Sequence, residues 1–161
     1  MRAKKRPIQG QTSCPVRGAG FTLVEVMLVM VISGLLAAIA LPAYQTQLIK
    51  GRRVDAVNAL SDVLHAQERW RSNRNSYAAA LSDLQLAPNS PAKLYSLSLS
   101  GLGNPASFST GFIARAIPMS GGVQSRDIEC AELSLSLQGG NVSYSAKNSK
   151  SADSSRQCWP Q

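Results

Sequence analysis

The chain has 161 residues and a formal net charge of +8, which allows one domain with an extension and excludes most large multidomain enzymes. Apolar residues make up 44 % and charged residues 16 %, the reverse of the balance in a disordered chain. One histidine and three cysteines are too few for a dedicated His/Cys zinc site, and no metal or cofactor is expected. The charge is uneven. Residues 1–20 carry five cations and no acid, whereas the rest holds twelve cations and nine carboxylates. A removable leader would take most of the basicity with it, so whole-chain charge is no argument for nucleic acid.

Residues 21–41 read FTLVEVMLVMVISGLLAAIAL, with Glu25 as the sole charge, and the apolar character continues to Ile49 before stopping at Lys50. About 20 apolar residues suffice to span a bilayer. The denser cationic cluster lies upstream, which favours a single pass through the inner membrane with a cytoplasmic N-terminus. The run is too long for the apolar region of an ordinary secretory signal, and its small residues, Gly18-Ala19-Gly20, stand before it rather than after it. Glu25 is the anomaly, because an isolated carboxylate deep in a bilayer costs on the order of 2.5–3.5 kcal/mol. Cleavage after Gly20 would supply a partner, the new α-amino group of Phe21.

Gly20-Phe21-Thr22-Leu23-Val24-Glu25, followed by a long apolar helix, resembles the class III signal of type IV pilins and pseudopilins. The resemblance implies that a prepilin peptidase cuts between Gly20 and Phe21 and N-methylates Phe21. It implies that Glu25 serves assembly, and that the helix is extracted from the inner membrane into a filament by the pilus assembly machinery and other pilin subunits. Gly34 and Pro42 fall where the family has helix-weakening or kinking residues. The implied division is a leader over 1–20, a transmembrane and filament-core half over 21–49, and a periplasmic or extracellular head over 50–161. The leader is longer than usual for the family. A start at Val16 would shorten it, make the stretch that includes Cys14 an artefact, and leave the mature chain unchanged.

Beyond Lys50 a helical period persists. Ala56, Val57, Leu60, Val63 and Leu64 recur at spacings of three and four, with Arg53, Asp55, Asp62, Glu68 and Arg69 expected off that stripe. One helix over residues 21–73, about 80 Å long at ~1.5 Å per residue, is predicted, apolar all round in its first half and amphipathic in its second. Pro42 lacks an amide donor and predicts a kink or weak point. Residues 73–92 carry loop chemistry, with Tyr77, Leu81, Leu84 and Leu86 pinning the loop to the head.

The period then changes to two. Tyr95/Leu97/Leu99, Phe108/Phe112/Ala114/Ala116, Leu133/Leu135/Leu137 and Val142/Tyr144 alternate with mostly serine. Glycine- and proline-bearing turns separate them, which predicts a four-stranded antiparallel meander. Its Leu/Phe face is expected on the amphipathic half of the helix, its serine face in water. The fold class is therefore α+β, the type IV pilin fold by resemblance.

Cys130 and Cys158 remain. In an oxidising periplasm a bridge is the default, two free thiols the alternative. The segment Asp127-Ile128-Glu129-Cys130 and the ending Cys158-Trp159 are similar to the C-terminal region of PilE-type minor pilins and of ComP-like DNA-uptake pilins. Asp127, Glu129 and Glu132 read as a solvated approach to the third strand rather than a cation site. His65 carries no catalytic expectation, and no hydrolase, Walker or zincin motif occurs, so no enzyme is expected. The leading reading is a minor pilin that ends in the pilus, or fimbrium, at the cell surface. A DNA-uptake receptor is the alternative, with Arg69, Arg71 and Arg74 at the helix end and Lys147, Lys150 and Arg156 in the tail as candidate phosphate contacts. A type II secretion pseudopilin shares the N-terminal signal, but the cysteine pair and the Cys-Trp ending argue against it.

Overall fold

A computed structural model describes residues 20–159; the leader with Cys14 and Val16 lies outside the described residues, apart from Gly20. The elements are α1 (Leu23–Arg71), β1 (Tyr95–Leu102), β2 (Ser107–Pro118), a 3-10 turn (Val123–Arg126), β3 (Glu132–Gln138), β4 (Asn141–Lys147) and α2 (Ser155–Cys158). The chain divides into two compact units between Ala40 and Leu41.

In the first unit, α1 starts after Thr22, whose Oγ1 accepts the Glu25 amide at 3.2 Å. Threonine with glutamate three residues on is the sequence form of a capping box, and a carboxylate in the first turn also suits the positive end of the helix dipole. The helix continues unbroken through Gly34 and Pro42. Pro42, two residues into the second unit, has no N–H to give to the carbonyl one turn back, and its own carbonyl accepts Thr46 Oγ1 at 3.0 Å.

In the second unit, the four strands form one antiparallel sheet in the order β1-β2-β3-β4. Gly139 and Gly140, both at positive φ (56° and 86°), close the β3–β4 hairpin across the Gln138–Asn141 pair, a conformation that glycine adopts at little steric cost. Gly111 is required for another reason: a Cβ there would lie 1.9 Å from the Leu137 carbonyl oxygen.

The core sits between one face of α1 and the inner face of the sheet. Ala56, Ala59, Leu60 and Val63 meet Tyr95, Phe112, Ala114, Ala116, Leu133 and Leu135. Small alanines stand on both surfaces of this core, and Leu60, Tyr95, Phe112, Leu133 and Leu135 are its bulky, fully buried members. Two polar clamps bind the 73–92 loop to the helix. Buried Gln67 donates to the Ala78 carbonyl (2.9 Å) and accepts the Ala78 amide (2.8 Å). Asp55 accepts the Ser90 hydroxyl and, at 3.0 Å, the Ala92 amide.

Three expectations need correction. Arg53 is buried on the core side of α1 rather than off the stripe, and Asp127 is buried with it; their charges are paired, which is what makes burial tolerable. Tyr144 does not enter the core: it is exposed and packs against Trp159 with the two rings tilted at 52°, centroids 4.7 Å apart. The serine face is only partly wet. Ser134 is buried against Ser145 (Oγ–Oγ 2.8 Å), and Arg115 crosses that face to Ser100 Oγ at 2.7 Å and Glu132 at 3.4 Å.

Candidate assembly segment and basic surfaces

The N-terminal half of α1 presents apolar side chains on every side. Phe21 is 81 % exposed, and Val24, Met27, Met30, Leu35, Leu36 and Ile39 are exposed with it. By length and composition this helix can cross a membrane. In water such a surface would aggregate, so it is built for lipid or for packing on copies of itself. Glu25 shares a shallow apolar groove with Phe21, Val26, Val29, Met30 and Ser33. The Thr22 contact satisfies the Glu25 amide, not its carboxylate, so the side chain stays available to an ammonium group.

At the other end of the apolar run, Arg53 organises a buried polar cluster. Its Nε and Nη2 donate to the two Asp127 carboxylate oxygens at 2.7 and 2.8 Å, a bidentate pair. Nη2 also reaches Glu129 Oε2 at 3.2 Å, and Nη1 donates to the Gln157 carbonyl at 3.0 Å. Asp127 additionally accepts Gln124 Nε2 and the Cys130 amide. Burial opposes the charge on Arg53, but Asp127, and after it Glu129, outweigh that and raise its pKa above the ordinary arginine value. Tyr95 lies in the same interior, and burial, reinforced by the negative charge of Asp127, pushes its phenol up to about 12. The Tyr95 hydroxyl and Gln124 Oε1 have no hydrogen-bond partner among the described residues.

Cys130 and Cys158 are bonded, S–S 1.98 Å and Cα–Cα 5.8 Å, closing 28 residues. The bridge fastens α2 beside the start of β3. Around it, Ser154 and Ser155 satisfy the outward carbonyl and amide of Ala146 (3.0 Å each), and Trp159 Nε1 donates to the Ser145 carbonyl at 2.9 Å. The tail therefore covers the end of the β4 edge.

The six candidate phosphate contacts do not form one strip. Arg53 touches Gln157, next to Arg156. Arg71 lies eighteen residues further along α1, about 27 Å away. At that end Arg74 stacks on Trp70 at 3.5 Å and Arg71 on Tyr77 at 5.4 Å, while Arg69 is exposed. At the tail end Lys147, Lys150 and Arg156 are exposed, with Asp153 among them. Ser155, through its hydroxyl and its amide, holds the Asp153 carboxyl below its ordinary pKa, so that end also carries a fixed negative charge.

Arg53, Gln67, Gln124 and Asp127 are the polar residues that sequence reading missed. The signal for two of them was spacing: positions 53, 56, 60, 63 and 67 form one stripe at intervals of three and four, so Arg53 and Gln67 occupy core positions despite their chemistry.

Residues 17–41 match the prokaryotic N-terminal methylation motif. Among curated proteins, the chain is 40 % identical over 60 residues to the fimbrial protein EcpC of Eikenella corrodens, covering 37 % of this chain and 39 % of that protein. It is 33 % identical over 72 residues to the type IV major pilin protein PilA of Myxococcus xanthus, covering 45 % and 33 %. To fimbrial protein Q of Moraxella bovis it is 52 % identical over 42 residues, covering 26 % and 27 %. The matched segments thus span two fifths or less of these relatives' own length. Residues 42–134 match the model of the type IV minor pilin ComP, DNA uptake sequence receptor. That match runs over more than half of the chain, through the second half of α1, β1 and β2 to the start of β3, and with the methylation motif it makes this chain a type IV pilin that belongs to the ComP family of minor pilins.

Proposed function

We propose that the chain is cut between Gly20 and Phe21 by a prepilin peptidase, N-methylated at Phe21, held in the inner membrane by residues 21–49, and carried into a surface pilus with its head, residues 50–161, outward. Other pilin subunits and the inner-membrane assembly machinery are its partners, and the role is structural rather than catalytic. The observation that carries this reading is the wholly exposed apolar first half of α1, with a single carboxylate four residues from the cleavage point. In the membrane that carboxylate is costly unless an ammonium group meets it. The new N-terminus, of the same chain or of a neighbour, provides one. Replacing Glu25 with Ala should leave membrane insertion intact and deplete the subunit from sheared pili. Undiminished incorporation of E25A would remove the charge-pairing argument.

A DNA-binding role is the second reading, favoured by the match to the ComP family model. The two basic groups lie at opposite ends of the head, so each is a separate candidate for duplex phosphates: Lys147, Lys150 and Arg156, or Arg69, Arg71 and Arg74. Three phosphate contacts correspond to a log–log salt slope of about −2.7, roughly a 40-fold loss of affinity for a fourfold rise in salt. Labelled duplex titrated with wild type and with each triple-alanine variant tests this. Loss of binding and of the slope in one variant assigns the patch. No binding by the wild type at low salt rejects the role.

A further inference from the structure

The segment between β2 and β3 packs against α1 where the apolar run ends. Ile49 is the last apolar residue before Lys50, and its carbonyl accepts Gln124 Nε2 at 3.1 Å. That bond holds the 3-10 turn alongside the helix at this level. Val123 and Arg126 line a shallow cleft with Leu48, Ile49 and Arg52. Ile128 lines an adjoining one with Ile49, Lys50 and Arg126. Val123 is 51 % and Ile128 68 % exposed, so two branched aliphatics project from the head beside the emerging helix. Lys50, Arg52 and Arg126 surround them. The carboxylates in the same clefts, Asp127 and Glu129, share the single charge of Arg53, so one negative charge, on half-exposed Glu129, stands against three cations and the rim remains net positive. Exposed aliphatics ringed by cations, at the end of a membrane-length apolar segment, match an interfacial surface. The aliphatics would enter the headgroup–acyl boundary and the cations would meet lipid phosphates.

We propose that this rim docks on the anionic phospholipid surface from which α1 emerges, and holds the head there while the subunit waits in the membrane. The proposal rests on the membrane-anchored pilin reading above. Continuity decides the occupant: the rim belongs to the same turns of α1 that close the apolar segment, so lipid headgroups are its immediate neighbours as long as the subunit is anchored. Extraction into a filament then requires the rim to leave the lipid. Each of the three cations shifts the docked-to-free ratio by about fivefold.

The test uses the full-length processed chain in vesicles of phosphatidylethanolamine and phosphatidylglycerol with brominated acyl chains. Val123→Trp and Ile128→Trp report the rim. Thr110→Trp, beside the Gly139 turn at the opposite end of the sheet, is the control, and the quenching of Trp70 and Trp159 measured in the wild type is subtracted. Bromolipid should quench at positions 123 and 128 and not at 110. The added changes Lys50→Gln, Arg52→Gln and Arg126→Gln, or exchange of phosphatidylglycerol for phosphatidylcholine, should abolish most of that quenching. Equal quenching at all three positions, undiminished quenching without anionic lipid, or shielding that grows with the protein-to-lipid ratio, as for a second copy covering the rim, would each overturn the proposal. Carbonate extraction of the same vesicles reports the anchor by itself. A chain that stays in the bilayer without rim quenching rejects docking alone, and a chain that washes out rejects the anchoring on which docking rests.

Discussion

Replacing Arg53 with Met removes the counter-charge of a carboxylate that is almost fully buried: the side chains of Arg53 and Asp127 are 8 % and 1 % exposed. Methionine keeps the aliphatic bulk, so the packing loss is small. Asp127 would retain only the Gln124 amide and the Cys130 N–H, two neutral donors for a full charge. Removing one partner of a buried pair costs about 3–5 kcal/mol, which in a head of this size lowers the melting temperature by roughly 10–20 °C. Asp127→Asn should cost less, about 1.5–3 kcal/mol, because Arg53 keeps Glu129 and the Gln157 carbonyl. Glu129 is half exposed, so Glu129→Gln should cost no more than about 1 kcal/mol. Combining Arg53→Met with Asp127→Asn should be less damaging than the sum of the two, since no buried charge is left unpaired. Urea unfolding of the full chain in mild detergent, followed by tryptophan fluorescence, gives all four numbers. An R53M variant within 1 kcal/mol of wild type, or additive single changes, would refute the claim that the pair fastens the helix to the disulfide-bonded segment.

Serine at both Cys130 and Cys158 should lower stability by about 2–5 kcal/mol, and free α2 to expose the β4 edge, seen as faster amide exchange at Ala146; unchanged exchange would show that the serine contacts suffice without the bridge. For Tyr95, the folded-state pKa lies above the ordinary value of 10.0, at about 12, so the folded chain keeps a proton that the unfolded chain gives up. Stability from this group is therefore complete below about pH 10 and declines as the pH rises toward 12. Phenolate absorbance should show a step near pH 12, and Tyr95→Phe should remove that step. A wild-type curve with no high-pH step for Tyr95→Phe to remove would contradict the buried environment.

Most of the fold was legible because hydrophobic period is a direct record of which face is buried. The period of 3.6 placed α1 within two residues of its ends, and the switch to a period of two at Tyr95 placed the sheet on that helix. The failures were polar residues judged by type instead of position. Arg53 is expected off the apolar stripe, yet it stands three residues before Ala56, on the core stripe itself. Asp127 could not be located from sequence at all, because its burial depends on a partner 74 residues away. Tyr144 kept the alternation of β4 but lies under Trp159 rather than α1, a contact created by the disulfide-anchored tail. The N-terminal signal was legible since its chemistry is local, a small residue, a new amine and a carboxylate within six positions. Whether the two basic groups share one surface depends on how the disulfide-bonded tail folds back, a long-range distance that local sequence pattern does not carry.

The most direct measurement is mass spectrometry of the subunit recovered from sheared pili of a host that carries the peptidase. The account predicts a mature chain beginning with N-methylated Phe21, and a peptide pair joined through Cys130 and Cys158. A chain with its leader intact, or one missing from the pili while abundant in the membrane, would contradict it.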